Sequence, residues 1–432
     1  MQEQIVVNQK ISFLKSMTSK FTTDQYNPAL FDITQDIIGS LPLTLIKQWL
    51  LSEQTQQATL ELLEPYKVKG YSISSDSAGL TKLTKQKGLL EILAIINQPK
   101  EIVYSVGTAI GGEGVGIWAA DNTQMFYPAS VKPETVLSAL LTIQREISQR
   151  CQIKIGIGAH YGEFYYINGG LYGLEADAIE EIAENDTEGG EIVISQGFYE
   201  LLPTNHNFSI TQKGEAVTEI GKLFRVVDGS SLAEIPPLNP QYPIPYSKEF
   251  YADLLAYGNR LTDAAFGKQL GDKYLENKVV VLIERQTEEA ESHEIGMFTN
   301  LALSAELKDT GLQLLQKYSG VEVKVVGSIG IYVFDEADTA LKFAQAFRQE
   351  LAAQNIASRT GLDAGSILLF DLAFGGRDIA GNPVNVASKM AQDKGEFGKL
   401  YLSSTMKTLV DVSQFKEITY TVSGVEITIY EA

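Results

Sequence analysis

The feature that most constrains the fold of this 432-residue chain is an internal repeat. The run from Gly156 to Gly162 reappears in similar form from Thr360 to Gly365, and the run from Gly190 to Ser195 reappears from Gly398 to Ser404. Both copies lie where strand and helix patterns alternate, which is typical of a sheet covered by helices. The repeated domain has about 180 residues, far too many for a solenoid repeat. We therefore predict two similar α/β (α+β) domains in tandem.

The charge of the chain limits its partners. With a net charge of −19 and a pI near 4.7, it lacks the basic surface that general nucleic-acid binders and proteins on anionic membranes use. We therefore expect no nucleic acid as a partner. No run of about 18 apolar residues is found, so we expect no membrane insertion. A nucleotide ligand is still compatible with this charge, because a bound metal ion supplies positive charge locally.

The cysteine content and the N-terminus bear on the compartment. The single cysteine, Cys151, excludes an internal disulfide framework and cysteine-based zinc sites. One cysteine fits a reducing compartment. The first residues, Met1-Gln2-Glu3-Gln4, lack the basic and apolar regions of a signal peptide. We therefore expect a cytoplasmic protein.

Changes in pattern along the chain predict four segments. Residues 1–66 form a helical N-terminal segment, and residues 67–229 form the first domain. Residues 230–247 are dense in proline, which suits a semi-rigid extended tether. Residues 248–432 form the second domain.

The N-terminal segment carries no catalytic pattern. Phe31–Ile38 and Leu45–Leu51 have apolar residues at helical spacing. We expect a helical cap, or an element through which two copies form a homodimer. A sensory module is the alternative.

Within the domains the patterns predict individual elements. Val68–Ser75 alternates like a strand, and Ile102–Trp118 is interpreted as a strand with a glycine-rich turn. Lys132–Arg150 predicts a helix. In the second domain Val279–Glu284 predicts a buried strand and Ala337–Gln354 a helix.

Two stretches of the second domain carry the most specific pattern. Lys324–Phe334 predicts a strand, a tight glycine turn and a second strand, and Arg377–Met390 predicts a loop that runs into a helix. Together they resemble the purine-recognising half of a class III nucleotidyl cyclase, the adenylate and guanylate cyclase family. The resemblance implies that both tandem domains are ferredoxin-like cyclase homology domains that pair as a pseudo-heterodimer.

The resemblance implies roles for four residues of the second domain. Lys324 and Asp378 stand where the family hydrogen-bonds adenine: lysine donates to N1 and aspartate accepts from the exocyclic amine, so the pair points to ATP. Asn385 stands where the family steadies the ribose and the transition state, and Lys389 replaces the family's transition-state arginine. The alternative is structural, with Lys324 a solvated strand-end residue and the loop residues acting as turn and helix-start groups.

The first domain is similar to the metal-binding half of the family. Asp76 matches the first metal-binding aspartate, and Glu113 in Gly112-Glu113-Gly114 takes the place of the second. Carboxylate oxygens are the ligands that Mg²⁺ or Mn²⁺ prefers, with phosphates completing the coordination. The resemblance also implies a phosphate cradle in the residues that follow Asp76, at the start of a helix: Ser77, Ala78, Gly79, Leu80 and Thr81. The alternative is that Asp76 caps the helix and Glu113 is a turn residue.

Each domain lacks the half that the other one keeps. In the first domain Ala109 falls at the place of the base-reading lysine and Gly173 at the place of the aspartate. Glu180 and Glu184 fall at the places of the asparagine and the arginine, where acidic groups would repel a triphosphate.

In the second domain the metal-binding aspartates are missing. Glu284 stands at the first position and Ser328 at the second, so a two-metal site is not expected there. The degradation of the two domains is complementary and predicts one composite site between them, with ATP as its substrate. We expect either conversion of ATP to 3′,5′-cyclic AMP and pyrophosphate or, as the alternative, a catalytically degenerate nucleotide-binding or regulatory module.

Overall fold

The computed structural model forms two compact units. It describes residues 41–116, 118, 122–238, 242–287, 292–372, 376–393, 395–422 and 425–432. The first unit comprises residues 63–267, and the second comprises residues 42–62 and 268–432. The helix predicted over Phe31–Ile38 lies outside the described residues.

The first unit is built on one sheet with helices packed against it. Its strands are β1 Lys67–Ser77, β2 Glu113–Gly114, β3 Thr123–Pro128, β4 Ile155–Ile167, β5 Gly170–Tyr172, β6 Ile192–Ser195, β7 Ser209–Thr218 and β8 Gly221–Asp228. The helices that lie at least largely within it are α3 Leu80–Lys87, α4 Leu89–Ile95, α5 Asn97–Ala109, α6 Pro133–Arg150, α7 Leu174–Asn185, α8 Gln196–Tyr199 and α9 Lys248–Gly258.

The second unit repeats this plan. Its strands are β9 Leu275–Arg285, β10 Val321–Val326, β11 Ile329–Phe334, β12 Ser358–Asp371, β13 Arg377–Ala380, β14 Leu400–Ser403, β15 Lys416–Val422 and β16 Val425–Glu431. Its helices are α1 Leu43–Leu51, α11 His293–Leu315, α12 Ala337–Ala353 and α13 Asn382–Ser388. Two helices span the unit boundaries, α2 Gln56–Leu63 and α10 Ala264–Tyr274.

The two sheets have the same strand order. It is β2-β3-β1-β4-β6-β8-β7 in the first unit, with β5 on β4, and β10-β11-β9-β12-β14-β16-β15 in the second, with β13 on β12. In both sheets one pair is parallel, β4 with β6 and β12 with β14, and the other pairs are antiparallel. The predicted fold class, two tandem ferredoxin-like α/β domains, is confirmed.

Matching residues of the two units follow from the parallel pairs. Ile157 pairs with Ile192, and Thr360 pairs with Leu400. Gly158 therefore matches Gly361, and positions on β4 and β12 differ by 203 in number. This register allows each predicted site residue to be compared with its counterpart in the other unit.

Each core lies between its sheet and its helices. On α12 the buried side chains of Phe343, Phe347 and Leu351 recur at helical spacing and face the sheet. Val279–Ile283 of β9 is buried throughout, as expected for a central strand with both faces covered. The predicted strand over Val279–Glu284 and the predicted helix over Ala337–Gln354 are both confirmed. The helix ends one residue earlier than predicted, and the strand is a few residues longer than predicted.

One predicted strand is wrong. Residues from Ile102 to Ala109 belong to the helix α5, and only Glu113–Gly114 of the predicted stretch is strand. The buried residues Ile102, Val103 and Val106 lie on one helical face, so the burial of an amphipathic helix outweighed the strand preference of these β-branched residues.

The proline-dense stretch is docked on the first unit. Tyr242 and Tyr246 are each 2% exposed, and Tyr242 belongs to the main core cluster of that unit. The helix α9 that follows belongs to the same unit, and the division from the second unit falls after Gly267. The division between the compact units therefore falls 20 residues after the end of the stretch 230–247, where the sequence predicted the domain boundary.

The part of the N-terminal segment that is described packs on the second unit. The predicted helix over Leu45–Leu51 is confirmed as part of α1. The ring of Trp49 stacks on Phe298 of α11 at 5.1 Å between centroids, and its Nε1 donates to Thr59. Among the described residues, no helix combines the length and the apolar character needed to cross a membrane.

Candidate functional site

The predicted base-recognition pair is formed in the second unit. Lys324 Nζ lies 2.5 Å from Asp378 Oδ1, and their side chains are 34% and 11% exposed. The same carboxylate oxygen accepts a hydrogen bond from the backbone amide of Ile379. The structure thus brings together two residues that are 54 positions apart in the sequence, on two different strands.

A bulge sets the position of Lys324. Glu322 pairs with Tyr332 and Lys324 with Ile331, so Val323 is an extra residue in β10. The turn that follows uses Gly327, whose φ of +57° favours glycine. Val323 is buried in a cluster with Ile379, and this packing fixes the strand that carries Lys324 against the strand that carries Asp378.

The two other predicted residues of this half follow on the next helix. Gly381, with φ +145°, precedes α13, and Pro383 occupies its first turn. Asn385 is exposed on α13, and Lys389 is partly exposed where α13 passes into a π-helical turn over Lys389–Asp393. They are four residues apart on adjoining helical turns, and both follow Asp378 closely in the sequence.

In the first unit, residues without charged side chains hold the places of Lys324 and Asp378. One row of paired residues crosses the second sheet from β12 to β10: Gly361, Leu282, Ile331 and Lys324. The matching row of the first sheet is Gly158, Ser74, Gln124 and Val115.

The counterpart of Lys324 is therefore Val115, which is 1% exposed in an apolar cluster. Asp378 pairs with Phe370, and Gly170 holds the matching position opposite Ile167. These are not the counterparts predicted from the sequence: Ala109 lies on α5, and Gly173 precedes α7 as Gly381 precedes α13.

The sheet register does not bring Asp76 and Glu113 together. Glu113 pairs with Phe126, and Phe126 pairs with Ser72, four residues before Asp76 on β1. Four residues correspond to about 13 Å along a strand, and two strand spacings add about 9 to 10 Å across the sheet. Two carboxylates that share a metal pair must lie within a few ångströms of each other, and this register keeps Asp76 and Glu113 much further apart.

The residues present therefore do not fit the predicted pair of magnesium or manganese ions. In the described part of the chain no group of three or more His, Cys, Asp or Glu side chains has an arrangement that could hold a metal ion. Asp76 itself lies within β1, next to Gly156 of β4, and not at a helix start.

The predicted phosphate cradle is only partly compatible with the backbone. Ser77 ends β1 with its side chain buried, and Gly79 has φ +73° before α3 begins at Leu80. The amide of Ala78 donates to the carbonyl of Lys154 at 3.0 Å and so is already engaged. Thr81 lies in the first turn of α3.

Asp76 does line a cavity, with acidic neighbours that the sequence did not predict for it. The cavity has a volume of about 220 Å³, and its walls include Trp118 and Gln124 of the hairpin and Glu180 and Glu184 of α7. The two glutamates are four residues apart, which places them on one face of a helix. That spacing is the signal that could have grouped them.

One of these glutamates has an unusual acidity. Although Glu180 is exposed, crowding by protein atoms desolvates its carboxyl group, and the charge of Asp177 adds to this. Together with Glu184 they raise its pKa to about 7, against a lowering by the hydrogen bond from Gln124 Nε2 at 2.9 Å. A pKa near 7 leaves Glu180 only partly ionised at neutral pH. The three carboxyl groups that line the cavity, Asp76, Glu180 and Glu184, still make it unfavourable for a triphosphate.

The position of the second unit that matches Asp76 carries a residue in an ion pair. Asp76 pairs with Gly156, and the matching pair is Glu284 with Arg359. Arg359 Nε lies 2.6 Å from Glu284 Oε2, its Nη1 donates to the carbonyl of Gly395, and both side chains are largely buried. A guanidinium thus neutralises the carboxylate that the sequence comparison had set at a metal position.

Comparisons with known proteins give likenesses of fold at low identity. No protein-family model and no curated protein matches the chain. A class III adenylyl cyclase-like ATP-binding protein from Pseudomonas aeruginosa matches with 13% identity and a TM-score of 0.49, over 81% of this chain and 86% of that one. An adenylyl cyclase from the same organism matches with 19% identity and a TM-score of 0.29, over 36% of this chain and 94% of that one.

A third solved structure is the guanylate cyclase domain from Catenaria anguillulae, in complex with GTP. It matches with 15% identity and a TM-score of 0.30, over 36% of this chain and 95% of that domain. Nucleotidyl cyclases, the family that the sequence motifs resemble, are thus also among the solved structures to which this chain is similar.

Proposed function

We propose that this protein binds an adenine nucleotide, ATP, through Lys324 and Asp378 of the second unit. The observation that carries the proposal is the direct contact between the two side chains, which lie on β10 and β13 in a partly exposed position. A lysine and an aspartate that are partly desolvated stabilise each other in the absence of a ligand. A base that offers an acceptor and a donor side by side can replace this contact.

Adenine has that pattern. Its N1 accepts from the Lys324 ammonium, and its exocyclic amine donates to the Asp378 carboxylate. Guanine presents an N–H where the acceptor is required and a carbonyl where the donor is required. A polar mismatch costs on the order of 1–3 kcal/mol per unpaired group, so we expect ATP to bind at least about tenfold more tightly than GTP.

The test is calorimetric titration of the full chain with ATP and with GTP. Lys324→Met and Asp378→Asn should each weaken ATP binding by about tenfold or more and reduce the preference over GTP. A matched control is available in the same unit: Lys399 and Glu431 form an ion pair with similar exposures of 40% and 14%. Lys399→Met should leave binding unchanged. Equal affinities for the two nucleotides, or no binding of either at millimolar concentration, would refute the proposal.

A second candidate is conversion of ATP to 3′,5′-cyclic AMP and pyrophosphate. It is favoured by one observation, that Asn385 and Lys389 follow the base-reading residue on adjoining helical turns. In that reaction Asn385 would orient the ribose, and Lys389 would offset charge on the α-phosphate. Cyclic nucleotide production from ATP, measured with magnesium and with manganese, separates the candidates: binding without product identifies a nucleotide-binding module.

The separation of Asp76 from Glu113 makes binding the better-supported candidate. A cyclase of this resemblance requires two carboxylates on one metal pair, and the register keeps these two apart. Product formation that survives in Lys324→Met, or that is lost in Glu113→Gln, would overturn this preference.

A further inference from the structure

The C-terminal end of the proline-dense segment is fastened to the wall of the acidic cavity. This stretch, Tyr242–Ser247, is here called the strap. The ring of Tyr242 stacks on Trp118 with centroids 5.8 Å apart and planes 18° from parallel. Trp118 is one of the walls of the cavity that also contains Asp76, Glu180 and Glu184. A residue of the proline-dense segment therefore lies directly behind a cavity wall.

Four further contacts secure this position. The hydroxyl of Tyr242 donates a hydrogen bond to Asn97 Oδ1 of α5. Lys100, also on α5 and 1% exposed, donates to the carbonyl of Trp118 at 2.6 Å and lies 5.8 Å from the Tyr242 ring centroid. Pro243 packs so closely on Gly114 that a Cβ there would lie 3.0 Å from its ring. The strap, α5 and the β2–β3 hairpin thus meet at one packed cluster around Tyr242 and Trp118.

The outer strand of the hairpin has little pairing of its own. The strand β3 is paired along its length with β1, but β2 has only two residues and lies at the edge of the sheet. Trp118 is joined to the strands through Nε1, which donates to the carbonyls of Val115 and Gln124, and its ring also contacts Tyr104 of α5. The contacts of Tyr242 and Lys100 with Trp118 therefore support an edge that has few hydrogen bonds to the rest of the sheet.

We propose that Tyr242 is a latch that holds the Trp118 wall of the cavity in place, so that release of the strap opens the cavity. The chain after the strap leads to the second unit, and a force or a partner acting on residues 230–247 would reach the cavity through this ring. The device concerns the first unit and does not depend on the nucleotide proposal. It differs from a merely covalent tether because it predicts a local change in the hairpin.

The experiment uses Trp118 as a reporter. The chain has two tryptophans, so Trp49→Phe leaves Trp118 as the only one. In that background Tyr242→Ala should increase acrylamide quenching of Trp118 about threefold or more and speed hydrogen exchange of β2 by about tenfold or more. The exchange of β3, which is paired with β1, should change less. Tyr242→Phe, which loses the hydroxyl alone, should have a smaller effect in the same direction.

Tyr246→Ala is the matched control. Tyr246 is as buried as Tyr242 and lies in the same strap, but its ring contacts Phe250. It should destabilise the strap without raising quenching of Trp118. If Tyr242→Ala fails to fold, Tyr242→Leu, which keeps apolar volume without the ring, decides the matter. Quenching and exchange of the hairpin that stay at the wild-type level in folded Tyr242→Leu, or rise equally in Tyr246→Ala, would overturn the proposal.

Discussion

The two units place different side chains on matching rows of their two sheets. Where the second unit has Lys324 beside Asp378, the first has the buried Val115 and Gly170. In the second unit Glu284 forms an ion pair with Arg359 on the neighbouring strand, whereas the matching residues of the first unit are Asp76 and Gly156. The same strand order accommodates either an ion pair or uncharged residues at matching positions, so the strand order does not decide function. Function depends on the side chains at these positions.

The largest expected effect on stability comes from removing one partner of the Glu284–Arg359 ion pair in the second unit. Arg359→Met leaves the largely buried Glu284 without its partner and also removes a donor from the carbonyl of Gly395. We expect a loss of about 3 kcal/mol in the free energy of unfolding, measured by urea denaturation of that unit's transition. Glu284→Leu combined with Arg359→Met should recover most of it. A loss below about 1 kcal/mol in the single variant would mean that the pair is no stronger than a surface one.

A smaller effect is expected from transferring the first unit's filling to the second. Lys324→Val with Asp378→Gly reproduces the pattern of Val115 and Gly170. Because both partners of the ion pair are removed, no charged side chain remains without its partner. We therefore expect the free energy of unfolding to change by no more than about 1–2 kcal/mol, and ATP binding to be lost completely. Thermal denaturation and calorimetric titration measure the two quantities. Retained ATP affinity would show that the base is read elsewhere.

A third comparison concerns pH, because one matched position carries a histidine in one unit and an aspartate in the other. His160 contacts Ser195 at 2.7 Å and Glu175 at 3.1 Å, and Asp363 accepts from Ser403. Both serines also accept an amide hydrogen bond from the turn that follows them.

The pKa of Glu175, which contacts His160, and the pKa of Asp363 are shifted in opposite directions. Burial raises the pKa of Glu175, but hydrogen bonds from His160 and from the Glu163 amide outweigh it and leave this pKa lowered. Burial raises the pKa of Asp363, and the hydrogen bonds from Ser403 and the backbone only partly offset it.

These shifts predict opposite pH dependences of stability. A lowered pKa means that Glu175 stabilises the fold above its unfolded-state pKa and loses this effect as the pH falls, so the destabilisation in Glu175→Gln should shrink towards pH 3. A raised pKa means that Asp363 stabilises the fold most at low pH and less as the pH rises, so the penalty of Asp363→Asn should shrink towards pH 7. Urea denaturation from pH 3 to 7 measures both. Slopes of the same sign for the two variants would contradict the assignment.

The smallest effect is expected at the acidic cavity. Glu180 should titrate near pH 7, and Glu184→Gln should lower this pKa because one of its like charges is removed. Carboxyl chemical shifts followed by NMR across the titration measure it directly. Stability should change little, since Glu180 is exposed and solvent screens its charge. An ordinary glutamate pKa at this position would show that the cavity does not desolvate the group.

Much of the fold and half of the candidate site could be predicted from the sequence. The repeated glycine runs lie on β4 and β12, and their spacing determined the tandem plan. Lys324 and Asp378 were predicted from local motifs that each belong to one short stretch, a strand before a glycine turn and a loop before a helix. Such signals survive translation into structure because few backbone conformations satisfy them.

The failures have a common physical cause. The glycines around Glu113 look like a hairpin turn, but Val115 bonds to Gln124, so the turn lies further on. Which glycine turns the chain is decided by strand pairing, a long-range property. The prolines before Tyr246 likewise indicate an extended chain, but not whether it is docked. The aromatic residues Tyr242 and Tyr246 were the available signal, since large apolar rings seldom stay in water.

The docked strap also determines where this chain can be divided. A fragment that ends at residue 229, where the composition changes, would expose the Trp118 ring and leave the hydroxyl partner Asn97 without Tyr242. A fragment of the first unit should instead run through α9, to at least Gly258, whose helix belongs to the same compact unit. Solubility and cooperative melting of the two fragments would then differ although they share every residue of the sheet. The natural joint of the molecule lies one helix later than its proline-rich sequence indicates.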